Sequence, residues 1–206
     1  MNLALLKAQE IDADVVMATD PDADRVGIGV KDNNGEWVLL NGNQTGGLLI
    51  GYMIRAWKEA GKITGKEMVI KTIVTTELID KMAEANGVAC YNTLTGFKYI
   101  AEIIKEKEGK ETFIAGGEES YGYLIGDKVR DKDAVASCGM IAEMVAYAKD
   151  KGIEEKAESI AISKEKIGIL FKSFVGRNVL DEKGFYPIYL TIDTTFNRAV
   201  FELENM

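Results

Sequence analysis

Asp20, Asp22 and Asp24 alternate through segment 19–25 (TDPDADR). Like charges this close repel one another unless a cation, basic partners or full solvation compensates them. Carboxylate oxygens are hard ligands of the kind that Mg2+ or Ca2+ takes. Pro21 stiffens the turn and Ala23 is small, so neither intervening side chain obstructs convergence. Arg25 follows at once and could hold a phosphate beside the metal by a bidentate contact. An EF-hand fits poorly, because its loop needs Gly and Glu where this chain has Arg25 and Lys31. A Mg2+-dependent phosphatase with Asp20 or Asp22 as nucleophile is a second chemistry for this loop, although many such enzymes have Thr or Val where Asp24 stands. A solvated acidic turn is the plainest alternative.

Three further stretches carry reactive residue types. In 93–100 (TLTGFKYI), Gly96 lets backbone approach a ligand at a helix mouth, where N–H groups favour anions, and Lys98 adds charge. The competing reading is a plain helix start with a solvated lysine. In 115–123 (AGGEESYGY), two glycines, two glutamates and a serine follow a strand end, the place where α/β proteins bind ligands. Carboxylate and hydroxyl groups there suit sugar hydroxyls; a capped turn with exposed acids is equally open. In 129–134 (VRDKDA), Arg130 and Lys132 alternate with Asp131 and Asp133, which taken alone reads as a charge run capping the next helix.

Composition narrows the chemistry. The 206 residues contain no histidine, which removes Ser-His and Cys-His nucleophile pairs and His-ligated metals. Proton transfer is left to carboxylate, lysine, tyrosine or water. Cys90 and Cys138 make neither a disulfide framework nor a CxxC pattern, so a reducing, cytoplasmic location is expected. A net charge of −8 argues against a generic nucleic-acid or anionic-membrane partner. No apolar run approaches the ~20 residues that span a bilayer, and no signal peptide is visible at the N-terminus.

The elements that must hold these residues follow from periodicity. Residues 1–10 read as a helix, 13–18 (ADVVMA) as a buried strand, 26–30 and 37–40 as strands around an Asn33-Asn34-Gly35 turn. The polar, glycine-rich stretch 41–47 reads as a joint and the best domain boundary. Beyond it helices (48–60, 77–86, 96–107, 132–149) alternate with strands (67–74, 88–91, 112–115), which implies a layered α/β domain with a largely parallel sheet. In 132–149, Val135, Cys138, Ile141, Val145 and Ala148 recur about once per turn. After Gly152 the pattern changes: 153–162 is charged and small, while 167–175 and 185–192 look strand-like, with Pro187 demoting the second to an edge or a break.

Taken in order, the TDPDADR loop, TGFK, GGEES and RDKD resemble the α-D-phosphohexomutase family, most nearly its phosphoglucomutase/phosphomannomutase branch, over about 1–152. The resemblance implies a three-layer α/β/α domain with a mixed, largely parallel sheet, preceded by a partial α/β domain. Residues 1–42 would be the C-terminal half of the family's second domain, 43–152 its third, and 153–206 a tail of unclear assignment. Family members pass a phosphoryl group from a phosphoserine to a hexose phosphate, exchanging its 1- and 6-phosphates. Asp20, Asp22 and Asp24 would hold Mg2+ next to that phosphoserine, with Arg25 assisting at the phosphate. Glu118 and Ser120 would grip hydroxyls of glucose or mannose phosphate, Thr95 and Gly96 would frame the substrate, and Lys98 would sit nearby. Lys132 matches a proposed proton-transfer lysine, a role that a depressed pKa would suit. The TASHNP-like serine loop and the RPSGTEP-like phosphate loop of the family's first and fourth domains do not occur here, so this chain alone is expected to lack mutase activity. A non-catalytic sugar-phosphate binding remnant is the remaining alternative.

Overall fold

The computed structural model describes residues 2–32, 34–152, 169, 172–173, 176–177 and 179–204. Two compact units are present, Met1–Lys151 and Gly152–Met206.

The first unit opens with helix α1 (Asn2–Glu10), whose Leu3 and Leu6 are exposed and only Ala8 buried. Strands β1 (Val15–Thr19), β2 (Val26–Lys31) and β3 (Trp37–Leu39) form an antiparallel sheet in that order. Asn33 of the expected turn lies outside the described residues; beside it Gly35 N donates to Asp32 O at 2.9 Å.

The supposed joint at 41–47 is instead the first turns of helix α2 (Gly42–Glu59). Asn41 and Gln44 make a reciprocal cap: Gln44 N donates to Asn41 Oδ1 and Asn41 N donates to Gln44 Oε1, both at 2.9 Å. Polar residues and glycines that suggested a loop are there because the helix needs a cap and because its start is pressed against another loop. A Cβ on Gly42 would overlap the carbonyl oxygen of Glu119.

A second sheet has the order β5-β4-β6-β7, with β4 (Glu67–Thr72), β5 (Ala89–Thr93), β6 (Thr112–Gly117) and β7 (Tyr123–Ile125). Strand β4 runs parallel to both β5 and β6, and β7 is antiparallel to β6, so the sheet is mixed and largely parallel. Alternation along β4 sorts the core. Val69 faces a cluster with Ile50 and Ile54 of α2 and Ile79 and Ala83 of helix α3 (Leu78–Ala85). Met68 and Ile70 face Phe97, Ile100 and Ile104 of helix α4 (Phe97–Lys107). Helices therefore cover both faces, giving an α/β/α sandwich. Helix α5 (Ala134–Lys151) shares a third cluster with both sheets, in which Val26 and Ile28 meet Leu49, Tyr123, Ala134 and Ile141. Its stripe is rotated from the expected one: Ala134, Ser137 and Ile141 are buried, while Val135 is exposed.

In the second unit, residues 185–192 are not a strand. Helix α6 (Glu182–Tyr189) and a 3-10 turn (Leu190–Ile192) precede helix α7 (Thr194–Glu204). Phe185 and Tyr189, one turn apart, stack at 5.1 Å between centroids, so the aromatic run that suggested a strand packs at helical spacing. The expected strand at 167–175 lies largely outside the described residues, as does all of 153–162. Among the described residues no helix is long and apolar enough to cross a membrane.

Glu67 at the head of β4 is 3% exposed. It accepts from Thr64 N (2.8 Å), Gly65 N (2.9 Å), Lys66 N (3.1 Å) and Thr64 Oγ1 (2.8 Å). Burial pushes its carboxyl up, but the donors from Thr64 and Gly65 outweigh burial and hold it below the usual glutamate value. Its contribution to stability is thus full above that ordinary value and is lost as pH falls through the lowered folded one. Glu67→Ala strands these donors; at pH 7 we expect a loss of about 2–3 kcal/mol, seen as a melting temperature lower by roughly 5–10 °C. An unchanged melting temperature would contradict this role for Glu67.

Candidate active site

The candidate metal loop, residues 19–25, joins β1 to β2. Asp20 Oδ1 accepts from Asp24 N at 3.1 Å and Arg25 N at 3.0 Å, which closes the loop into a tight turn. Ala23 takes a positive φ of 56° to complete it. Ligand oxygens of Asp20, Asp22 and Asp24 then lie within 4.8 Å of one another. The backbone donor of Arg25 holds the Asp20 carboxyl below the usual range, so it is an anion at neutral pH. Asp24 Oδ1 is buried without a hydrogen bond, 3.6 Å from Arg25 Nε. An all-oxygen anionic cluster with one buried, unsatisfied oxygen fits a hard divalent cation. A cavity of about 330 Å³ opens beside it, between Asp20, Arg25, Leu39 and Tyr121.

Loop 118–122 joins β6 to β7 and contacts both neighbouring motifs. Tyr121, at a positive φ of 71°, presents its carbonyl to Val26 N at 3.1 Å. Arg25 and Gly122 form an antiparallel bridge, so the metal loop and the glycine-rich loop are stitched together by backbone. Glu118, 6% exposed, accepts from Gly96 N at 2.8 Å. Gly96 caps α4 at φ 123°, a conformation that a side chain would strain. Glu118 is thus not one of the exposed acids of a plain turn.

Lys132 draws in the fourth motif. Its ammonium pairs with Asp24 Oδ2 at 3.0 Å and Asp131 Oδ1 at 3.3 Å, and lies 5.3 Å from the centroid of the Phe97 ring. Burial pushes this lysine down, but Asp24 and Asp131 outweigh it and hold it above its ordinary value. The depressed lysine expected from the sequence is therefore not found, because two carboxylates flank it. Asp133 caps α5 through Ala136 N at 2.9 Å, so the charge run both caps a helix and delivers Lys132.

Lys98 is exposed, with its ammonium 4.8 Å from the centroid of the Tyr99 ring, and lines a groove with Lys105, Arg130 and Asp131. Thr95 is exposed on the loop before α4, and Ser120 is half-buried. Among the described residues no side-chain hydrogen bond or ion pair joins these three to the rest. Burial pushes the Cys90 thiol up to about 12 and raises that of Cys138, so neither is a ready nucleophile.

Sequence reasoning missed Glu119, Thr72 and Thr75. The Glu119 carboxylate accepts from Thr72 Oγ1 at 3.1 Å and Thr75 Oγ1 at 3.2 Å. Glu119 lies within segment 115–123, but its partners, at the end of β4 and in the turn after it, have no distinguishing spacing.

Residues 41–162, more than half of the chain, match the family model described as phosphoglucomutase/phosphomannomutase, alpha/beta/alpha domain III. The chain belongs to the phosphoglucomutase/phosphomannomutase family. It is 38% identical over 151 residues to a phosphoglucomutase of Staphylococcus haemolyticus and 37% identical over 155 residues to one of Staphylococcus aureus. These alignments cover 73% and 74% of this chain but only 27% of each relative, so the chain spans about a quarter of the length of these curated family members. A structure from Thermus thermophilus, described as a phosphomannomutase, superposes with a TM-score of 0.52 at 29% identity, covering 64% of this chain and 27% of that one. Parafusin, a phosphoglucomutase from Paramecium, shares the fold, with a TM-score of 0.50 at 20% identity, over 75% of this chain and 24% of that one.

Asp22 is the most exposed of the three aspartates, so it can be altered with little effect on packing. We expect Asp22→Asn to weaken Mg2+ affinity at least about tenfold in a calorimetric titration without lowering the melting temperature. Unchanged affinity would mean that the loop is merely a solvated acidic turn.

Proposed function

We propose that these residues supply part of the site of a phosphohexomutase that moves a phosphoryl group between the 1- and 6-positions of glucose or mannose phosphate. The observation that carries this reading is the contact chain Asp24–Lys132–Phe97 and Gly96–Glu118, which links all four motif segments of a family member. In it, residues 1–42 belong to the family's second domain and 43–152 to its third, and the protein works in the cytoplasm.

Asp20, Asp22 and Asp24 would hold Mg2+, which when bound neutralises charge on the transferring group. Arg25, exposed at the loop's edge, would orient the phosphate by a bidentate contact. Glu118 is already fixed by Gly96 N and keeps Oε2 for a sugar hydroxyl, with Ser120 two residues on as a second donor or acceptor. Thr95 and Gly96 would frame the sugar, and Lys98 would add positive charge at the rim. Lys132 would hold or deliver a proton close to Asp24, from the protonated state that its carboxylate neighbours favour. The phosphoserine and the loop gripping the second phosphate would come from outside these 206 residues, as the family's first and fourth domains.

Calorimetry with glucose 1-phosphate and mannose 1-phosphate in the presence of Mg2+ tests the reading. We expect binding, weakened about tenfold by Glu118→Ala or by Ser120→Ala, each of which removes a hydrogen bond to substrate. We also expect no conversion to the 6-phosphate and no released phosphate. Released phosphate with an acid-trapped aspartyl-phosphate would establish the phosphatase instead, and no binding at millimolar sugar phosphate would remove the sugar site.

A further inference from the structure

The loop that carries Glu118 and Ser120 is fastened from behind by a polar post in the sheet. Thr72, the last residue of β4, is fully buried, and Thr75 in the following turn is 3% exposed. Their hydroxyls are 2.7 Å apart, and both reach the same carboxylate oxygen, Glu119 Oε2. Glu119 N donates to Thr75 Oγ1 at 3.2 Å, so one residue is gripped by backbone and side chain at once.

The post is itself braced. Lys71, 2% exposed in the middle of the sheet, donates to Thr75 O at 3.1 Å and pairs with Asp80 Oδ2 at 3.0 Å. Asn92 Nδ2 donates to Asp80 Oδ1 at 2.8 Å. A buried ammonium fixes the turn because leaving it unpaired would cost far more than any gain in freedom.

The other residues of the loop are held as well. Glu118 accepts from Gly96, Tyr121 O accepts from Val26 N, and the carbonyl of Glu119 fills the space that a side chain on Gly42 would need. Only Ser120 makes no hydrogen bond among the described residues, and it stands between two tethered neighbours.

We propose that Glu119 is a positioning residue, clamped by Thr72 and Thr75, that sets Glu118 against Gly96 and aims Ser120 at the sugar. It does not itself touch the substrate. This inference rests on the sugar-binding role proposed above for Glu118 and Ser120, but the clamp can be read without substrate. The amide of Gly96 reports it, since that N–H is protected from exchange only while Glu118 is in place.

Amide hydrogen exchange and glucose 1-phosphate calorimetry with Mg2+, on the same variants, test the proposal. Glu119→Ala is expected to speed exchange at Gly96 about tenfold and to weaken glucose 1-phosphate about tenfold at a temperature where it remains folded. Glu119→Gln keeps an acceptor for the two hydroxyls and is expected to stay within about twofold of the parent in both readouts. Thr72→Val, which preserves shape and removes one hydroxyl, is expected to fall between them. If Glu119→Ala and Thr72→Val lower the melting temperature but leave Gly96 exchange and affinity unchanged, the clamp is only structural and the proposal is overturned. If Gly96 exchange responds as expected but the parent chain binds no glucose 1-phosphate, the positioning of Glu118 stands and the sugar-binding reading falls.

Discussion

Strand β4 is buried along its whole length, yet it carries Glu67, Lys71 and Thr72 among its six residues. A central strand cannot leave such groups without partners, because an unpaired buried charge or hydroxyl costs several times what a satisfied one returns. Each has therefore recruited a particular neighbour. Glu67 collects the amides of the turn before it, Lys71 takes Thr75 O and Asp80, and Thr72 takes Glu119. The apolar residues between them, Met68, Val69 and Ile70, serve the two helical layers. One strand thus builds the core with its apolar positions and the loop geometry with its polar ones.

Loop placement at the sheet edge follows from that. With Glu119 fixed to the end of β4, Glu118 falls on Gly96 at the mouth of α4, and Tyr121 meets the metal loop. Lys132 completes the ring by joining Asp24 to Phe97, the first residue of α4. Around the two loops, a cluster of three carboxylates, a buried Asp24 oxygen without a donor and a serine without a hydrogen bond remain among the described residues, while Trp37 Nε1 on β3 and Thr45 Oγ1 on α2 are also buried without a partner. Groups left over in an otherwise satisfied region are the ones available to a cation and a ligand.

Much of this was legible in the chain. Alternating strands and helices gave the α/β layers, and the four motifs marked the segments that meet. What was not legible depended on long-range partners. The glycines of 41–47 looked like a joint because their reason, the close approach of Glu119 to Gly42, comes from more than seventy residues away. Strand β7 has only three residues and hid in the glycine-rich loop. Lys132 looked like a candidate for a depressed pKa until its two carboxylate neighbours were placed. Aromatic content misled at 185–192, where Phe185 and Tyr189 stack along a helix rather than across strands. Glu119 sat in plain view, but nothing local separates it from Glu118: one is aimed at a helix mouth and the other at a buried pair of hydroxyls.

If the four motifs form one site, then cation and sugar phosphate share a small region in which Lys132 touches both the metal loop and the mouth of α4. Binding of either must then change the affinity for the other by the same factor. The most direct measurement is the dissociation constant of glucose 1-phosphate as a function of Mg2+ concentration, paired with that of Mg2+ as a function of glucose 1-phosphate. A single site predicts mutual tightening of about fivefold or more, equal in the two directions. Affinities that are independent of each other would contradict it and would leave the metal loop and the sugar loop as separate features of the fold.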